Sequence, residues 1–115
     1  MKILNQTQGV HIATNVQLAD SFFSRLIGLL NRSGLDENEG LLITRCQSIH
    51  MFFMRFAIDV IFVDKNDCVI GLVQNIKPFQ LSPIFFKAHY AIELKSGIIQ
   101  NTKTTIGDQL ILIQD

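Results

Sequence analysis

The chain has 115 residues, of which 48% are apolar and 17% are charged, and its ten basic residues balance its ten acidic ones. This composition excludes a disordered chain, and the length predicts one domain over residues 1–115. The basic residues are scattered along the sequence, which argues against a general nucleic-acid binder and against electrostatic docking on anionic lipid.

The first residues predict neither an export signal nor a membrane anchor. Only Ile3 and Leu4 are apolar before polar residues follow, so no signal-peptide core can be drawn. No apolar stretch approaches the ~20 residues of a membrane-spanning helix. We therefore expect no membrane span and a cytoplasmic location.

Short strands and one helix are predicted in the first third of the chain. Val10, Ile12, Val16 and Leu18 mark half-buried strands. Apolar residues then recur at helical spacing behind a capping Asp20 or Ser21, which predicts a helix over about 21–31.

The middle of the chain predicts a hairpin. Residues 41–63 are dense in β-branched and aromatic side chains and are interpreted as two or three strands. Within residues 58–63, Ile58, Val60 and Phe62 should share one face, and Asp59 should lie on the other. The polar segment 64–67 predicts a turn that leads into the partner strand.

The last third predicts a loop, two strands and one helical turn. Both prolines lie in residues 77–88, which favours an extended surface loop or a sheet edge. Residues 90–94 alternate as in a strand, about 97–103 suits a short helical turn, and 109–113 forms a final strand. The pattern indicates a mainly β fold of the α+β class, a compact small barrel or sandwich of short, mostly antiparallel strands.

The segment from Cys46 to Met54 contains soft metal ligands. Cys46, His50, Met51 and Met54 are all residue types that can bind copper(I). Along an extended strand, however, these side chains spread over ~13 Å, and methionine more often fills gaps in a core. We predict core packing, with no metal and no cofactor.

Asp59 carries the main chemical hypothesis, because its apolar neighbours place a carboxylate in buried surroundings. A buried carboxylate must be paired, and the candidate partners are Arg25, His50 and Arg55. Three interpretations remain open: a structural ion pair between helix and sheet, a pocket for an anionic ligand, and general acid–base catalysis by His50 with Asp59 orienting its ring. Glu93 lies on the opposite face of its strand from its apolar neighbours, which suggests a solvated position.

Several short motifs, taken in order, resemble the domain of unknown function 192 family, also called uncharacterised protein family 0127. The matching segments are Arg25 to Leu30, His50 to Asp64, Lys77 to Phe79, Ile92 to Gly97, and Gly107 with Asp108. Leu30, Met51, Ala57 and Phe79 replace residues that are Met, Thr, Pro and Trp in the family. The polar residues kept are Arg25, His50, Arg55, Asp59 and Glu93.

The resemblance implies a mainly β fold with short helices and no established activity, and the placement of some members near secretion or pilus-assembly genes implies an accessory role. Our first hypothesis is a non-enzymatic binding module that uses the polar residues for a small anionic ligand. A loop patch of Phe79, Phe85 and Phe86 would contact a protein partner. The alternatives are a hydrolase-like or isomerase-like enzyme with His50 as base, and a purely structural subunit.

Overall fold

The computed structural model describes residues 1–20, 29 and 32–115. Its described strands form two open sheets stacked as a sandwich, which confirms the mainly β prediction. The strands are β1 (Lys2–Asn5), β2 (Val10–Ala13), β3 (Asn15–Ala19), β4 (Glu39–Thr44), β5 (Ile58–Val63), β6 (Val69–Ile76), β7 (Tyr90–Lys95) and β8 (Leu110–Ile113). The helix predicted over about 21–31 lies outside the described residues apart from Leu29, which is buried.

The larger sheet has the order β3-β4-β7-β5-β6, and the smaller sheet has the order β2-β1-β8. All of these pairs are antiparallel except β3 with β4, which run parallel. The predicted turn at 64–67 joins β5 to β6, where Asp64 Oδ1 accepts hydrogen bonds from the backbone amides of Asn66 and Cys68 at 2.9 and 3.0 Å. A short helix, α1 (Ile98–Asn101), occupies the position of the predicted helical turn.

Strand alternation divides the core into two clusters on opposite faces of the larger sheet. One face, here called the loop-side face, carries Val60 and Phe62 of β5 and packs against Ile49, Met51 and Met54 of the loop that precedes it. The other, here called the small-sheet face, carries Ile61 and Val63 of β5. It packs against the smaller sheet and α1, with Ile3, Ile12, Leu110, Ile98 and Ile99 as contacting residues. Because β5 and β7 are central strands covered on both faces, even their alternate positions are buried.

Within residues 1–20 and 32–115, no helix is long and apolar enough to cross a bilayer.

Candidate functional site

Asp59 is fully buried, as its apolar neighbours predict, but its partners are backbone amides. Its Oδ1 accepts a hydrogen bond from the Asn75 amide at 2.8 Å. Its Oδ2 accepts two more from the amides of Gly97 and Ile99, at 3.0 and 2.9 Å. Among the described residues no cation pairs with Asp59, which corrects the expectation for His50 and Arg55, while Arg25 lies outside the described residues. Three N–H donors satisfy a buried carboxylate as fully as a guanidinium would.

The sequence of α1 explains why this carboxylate is needed. The residue at the N-terminal cap of α1 is Gly97, which has φ of 103° and no side chain to accept the first free amides of the helix. Asp59 supplies that acceptor from β5, so it acts as an N-cap contributed by a distant strand. The described contacts of Asp59 therefore join β5 to α1 and to the neighbouring strand β6.

Glu93 and Asp59 lie on opposite faces of the same sheet. Asp59 is opposite Leu94 across the β5–β7 pair, and Glu93 is opposite Val60. Val60 belongs to the loop-side core and Leu94 to the small-sheet core, so the two carboxylates point away from each other. Glu93 is 0% exposed, and the solvated position suggested for it is therefore wrong.

His50 lies in the loop that covers the loop-side face. It is half-buried and forms an isolated backbone bridge with Leu81. Its ring stacks on Phe52 with 5.1 Å between ring centroids. The neighbouring Met51 and Met54 are buried in the loop-side core, which agrees with the core-packing interpretation of that segment.

The predicted polar residues thus divide between two places. His50 belongs to a segment that packs on the face bearing Glu93, whereas Asp59 lies beneath the opposite face. Arg55 is exposed and forms no ion pair with a described residue, and Arg25 lies outside the described residues. Because every described bond of Asp59 goes to the backbone, this carboxylate is not placed to orient the ring of His50.

A strip of exposed apolar side chains runs along two paired loop segments, 47–53 and 79–86. The Met51 amide donates to the Gln80 carbonyl at 2.9 Å, and the Phe79 amide donates to the Met51 carbonyl at 2.8 Å. At the other end, the Phe85 amide donates to the Gln47 carbonyl at 2.8 Å. The residues of this apolar strip are between 41% and 77% exposed and comprise Phe52, Phe53, Phe79, Leu81, Ile84 and Phe86.

Two members of the apolar strip have unusual backbone conformations. Phe53 and Phe79 both have φ of 68°, in the left-handed region that a bulky residue rarely adopts. Such a conformation costs roughly 1–2 kcal/mol per residue and persists only where surrounding contacts enforce it. The hydrogen bonds through Met51 hold the backbone at this end of the strip, and both rings are exposed there.

Phe85 differs from its neighbours because its ring points into the protein. It stacks on Phe62 of the loop-side core with 4.4 Å between centroids. The ring lies over Gly71 of β6, where a Cβ atom would collide with it. The predicted contact patch therefore loses Phe85, whereas Phe79 and Phe86 are exposed as predicted.

A separate cleft of about 560 Å³ opens at the end of β4, above Leu42, Tyr90 and Leu112. Its rim includes Arg45 and Asp67, both with positive φ. The Tyr90 hydroxyl donates to Asp67 Oδ1 at 2.8 Å, and burial raises the pKa of the tyrosine well above its usual range. Tyr90 thus stays protonated as a fixed donor. No sequence pattern indicated this cleft, because its residues come from five separate segments of the chain.

Comparison with known proteins agrees with this architecture. The model of DUF192, described as Uncharacterized ACR, matches residues 3–112. The chain belongs to the DUF192 family. This confirms the resemblance drawn from the sequence motifs.

Relatives of the family match the chain almost end to end. It is 36% identical to a UPF0127 protein of Pyrococcus furiosus over 115 residues, which covers 94% of this chain and 95% of the relative. It is 34% identical to a UPF0127 protein of Thermococcus sibiricus, covering 94% of this chain and 72% of the relative. The crystal structure of a Novosphingobium aromaticivorans protein of unknown function superimposes with a TM-score of 0.84 at 21% identity, covering 97% of this chain and 84% of the other. At this identity, the structural likeness supports only the fold of this DUF192 member and carries no conclusion about its function.

Proposed function

We propose that this protein is a non-enzymatic binding module whose docking surface is the apolar strip. The observation that carries the proposal is the continuous exposure of large apolar side chains along two hydrogen-bonded segments. Single exposed apolar residues are ordinary on protein surfaces, but a contiguous set usually marks a contact surface.

The backbone beneath the apolar strip supports this interpretation. Phe53 and Phe79 are held outward in left-handed conformations that cost free energy in the isolated protein. Phe85, between Ile84 and Phe86, anchors its segment by packing on Phe62. A surface fixed in this way loses less conformational entropy on docking than a mobile loop would.

Two observations count against a catalytic pair of His50 with Asp59, which is one form of the enzymatic alternative. His50 stacks on Phe52, and Asp59 accepts backbone hydrogen bonds on the other face of the sheet. A catalytic pair needs its two groups within hydrogen-bond reach. The role of Arg25, His50, Arg55 and Glu93 in holding an anionic ligand stays a prediction.

Photocrosslinking in cells tests the proposal. p-Benzoylphenylalanine is introduced into the full chain at position 79 or 86 of the apolar strip, and at position 18 or 106 as matched controls. Leu18 and Ile106 are 58% and 66% exposed and lie outside the strip. We expect crosslinked products, to protein or to membrane lipid, from positions 79 and 86 and none from the controls. Equal crosslinking at all four positions, or none at any of them, would overturn the proposal.

A further inference from the structure

The segments that carry the apolar strip hold positive charge without any negative charge. Residues 40–58 and 68–92 contain the basic residues Arg45, Arg55, Lys77 and Lys87 and no Asp or Glu. The whole chain balances ten basic against ten acidic residues, so its acidic side chains all lie outside these two segments. Scattered in the sequence, three of these cations are brought to the ends of the strip by the fold.

One end of the apolar strip carries two exposed cations. The hydrogen bond from the Phe79 amide to the Met51 carbonyl brings residues 77–79 beside residues 51–55. Lys77 and Arg55 both lie at this end, and both are exposed. The Lys77 amide donates to the side-chain oxygen of Gln80 at 2.8 Å, which folds the lysine's backbone against the loop.

The other end carries an exposed cation as well. The side-chain amide of Gln47 donates to the Phe86 carbonyl at 2.7 Å, which fixes the chain just before Lys87. Lys87 is exposed directly beside Phe86, the most exposed member of the apolar strip at 77%. The pocket beside Phe86 and Lys87 is also lined by Lys65 and by one acidic residue, Asp64. A row of phenyl and aliphatic groups therefore has cations at both ends.

This arrangement suits a bilayer surface better than an acidic protein. Rings of phenylalanine contain no polar atom, so they can enter the boundary between headgroups and acyl chains without leaving a donor or acceptor unsatisfied. Phenylalanine and arginine are common in protein–protein interfaces, but lysine is depleted there. Lysine and arginine beside inserted apolar groups bind lipid phosphates and keep their charge in the headgroup layer.

We infer that the apolar strip docks on a membrane surface rich in anionic lipid. Its rings enter the interface while Arg55, Lys77 and Lys87 contact the lipid phosphates. This inference rests on the proposed function, because it names the partner of the same surface.

Insertion is tested by single-tryptophan fluorescence, since the chain contains no tryptophan. Phe79→Trp places the reporter on the apolar strip, and Ile106→Trp places it at an equally exposed control position. Both variants are mixed with vesicles of phosphatidylglycerol and phosphatidylcholine, or of phosphatidylcholine alone. We expect a blue shift only for Phe79→Trp and only with the anionic vesicles. An unshifted Phe79→Trp spectrum, or an equal shift on neutral vesicles, would overturn the inference.

The contribution of the cations is tested by co-sedimentation with the same anionic vesicles. Each cation should contribute about fivefold in affinity, so Arg55→Gln/Lys77→Gln/Lys87→Gln should lose about a hundredfold. The control Lys2→Gln/Lys95→Gln/Lys103→Gln removes the same charge from exposed positions elsewhere. If both triple variants lost the same vesicle affinity, binding would depend on net charge and not on the positions of the cations, which would contradict a specific docking surface.

The contribution of the rings is tested with Phe53→Asn/Phe79→Asn. Asparagine tolerates left-handed backbone better than other non-glycine residues, so this variant removes both rings without adding strain. We expect at least a roughly tenfold loss of vesicle binding. Unchanged binding would contradict insertion of these rings.

Two outcomes separate this inference from the proposed function. A discrete protein crosslink at positions 79 and 86, with no vesicle binding, would overturn the membrane inference and leave the binding function standing. A vesicle-free dimer in sedimentation velocity that Phe53→Asn/Phe79→Asn dissociates would also overturn it, because a second copy would then cover the apolar strip.

Discussion

Replacing Asp59 by asparagine keeps the size of the side chain and removes the acceptor for at least one of three backbone hydrogen bonds. Its two oxygens accept from Asn75 on one side and from Gly97 and Ile99 on the other, at 2.8 to 3.0 Å. Either orientation of the new amide turns an NH₂ group toward an N–H donor. A buried donor left unsatisfied costs about 1–3 kcal/mol, and the remaining bonds lose their charge assistance. We expect Asp59→Asn to lower the free energy of unfolding by about 2–4 kcal/mol.

Urea unfolding followed by circular dichroism measures this loss at neutral pH. Glu37→Gln is the matched control, because it also changes an acid to an amide but at an exposed loop position, where a change within about 0.5 kcal/mol is expected. Amide hydrogen exchange adds a local readout, since the Ile99 amide should exchange faster in Asp59→Asn. A stability within 0.5 kcal/mol of wild type, together with unchanged exchange at Ile99, would refute the assignment of Asp59 as a structural acceptor.

Two further predictions concern stability. Gly71→Ala would place a Cβ atom in the ring of Phe85 and should lower the free energy of unfolding by about 1–3 kcal/mol. Gly34→Ala is the control, because the space around its Cβ is open, and it should not lower stability. Equal thermal midpoints for the two variants would contradict the clash at Gly71. Arg32 donates two hydrogen bonds to Glu39 at 2.8 and 2.7 Å and lowers the pKa of Glu39 from 4.5 to about 2. Because folding depresses this pKa, wild type should have a higher free energy of unfolding than Glu39→Gln, by about 1 kcal/mol after solvent screening. This difference should be complete above pH 4.5 and be lost as the pH falls toward 2. An equal difference in urea unfolding at both ends of this pH window would contradict the pairing.

Local patterns predicted the strands well because burial in a sheet follows alternation. Ile58, Val60 and Phe62 share the loop-side core as their period of two requires, and Ile61 packs on the opposite side. The turn at 64–67 was equally predictable, since an aspartate that accepts nearby backbone amides is a local feature.

Predictions for the polar residues were limited because pairing in space is not a local property. The sequence indicated that Asp59 is buried and must be satisfied, but not that Gly97 leaves a helix end without its own acceptor. Alternation indicated a solvated position for Glu93, and this failed because β7 is a central strand covered on both faces. A buried carboxylate can be satisfied by a cation or by backbone amides, and the local sequence does not distinguish between these two arrangements.

The apolar strip depends on contacts between residues about 30 positions apart in the chain. The aromatic content of 77–86 suggested a contact patch, yet the contribution of Phe52 and Phe53 follows only from the hydrogen bonds through Met51. The inward position of Phe85 likewise depends on Gly71, which creates space for its ring. A glycine in the middle of a strand was the one sequence signal for that close approach.

The carboxylate of Asp59 also determines how the fold can open. A helix of four residues has no stability of its own, and the left-handed bend at Asn75, with φ of 52°, interrupts the regular pairing of β6 with β5. Both are tied to one side chain on a central strand, so neither can detach without exposing the interior of the sheet. Strand, bend and helix should therefore melt together as one cooperative unit, which makes this side of the sandwich a rigid base for the loops on the other side.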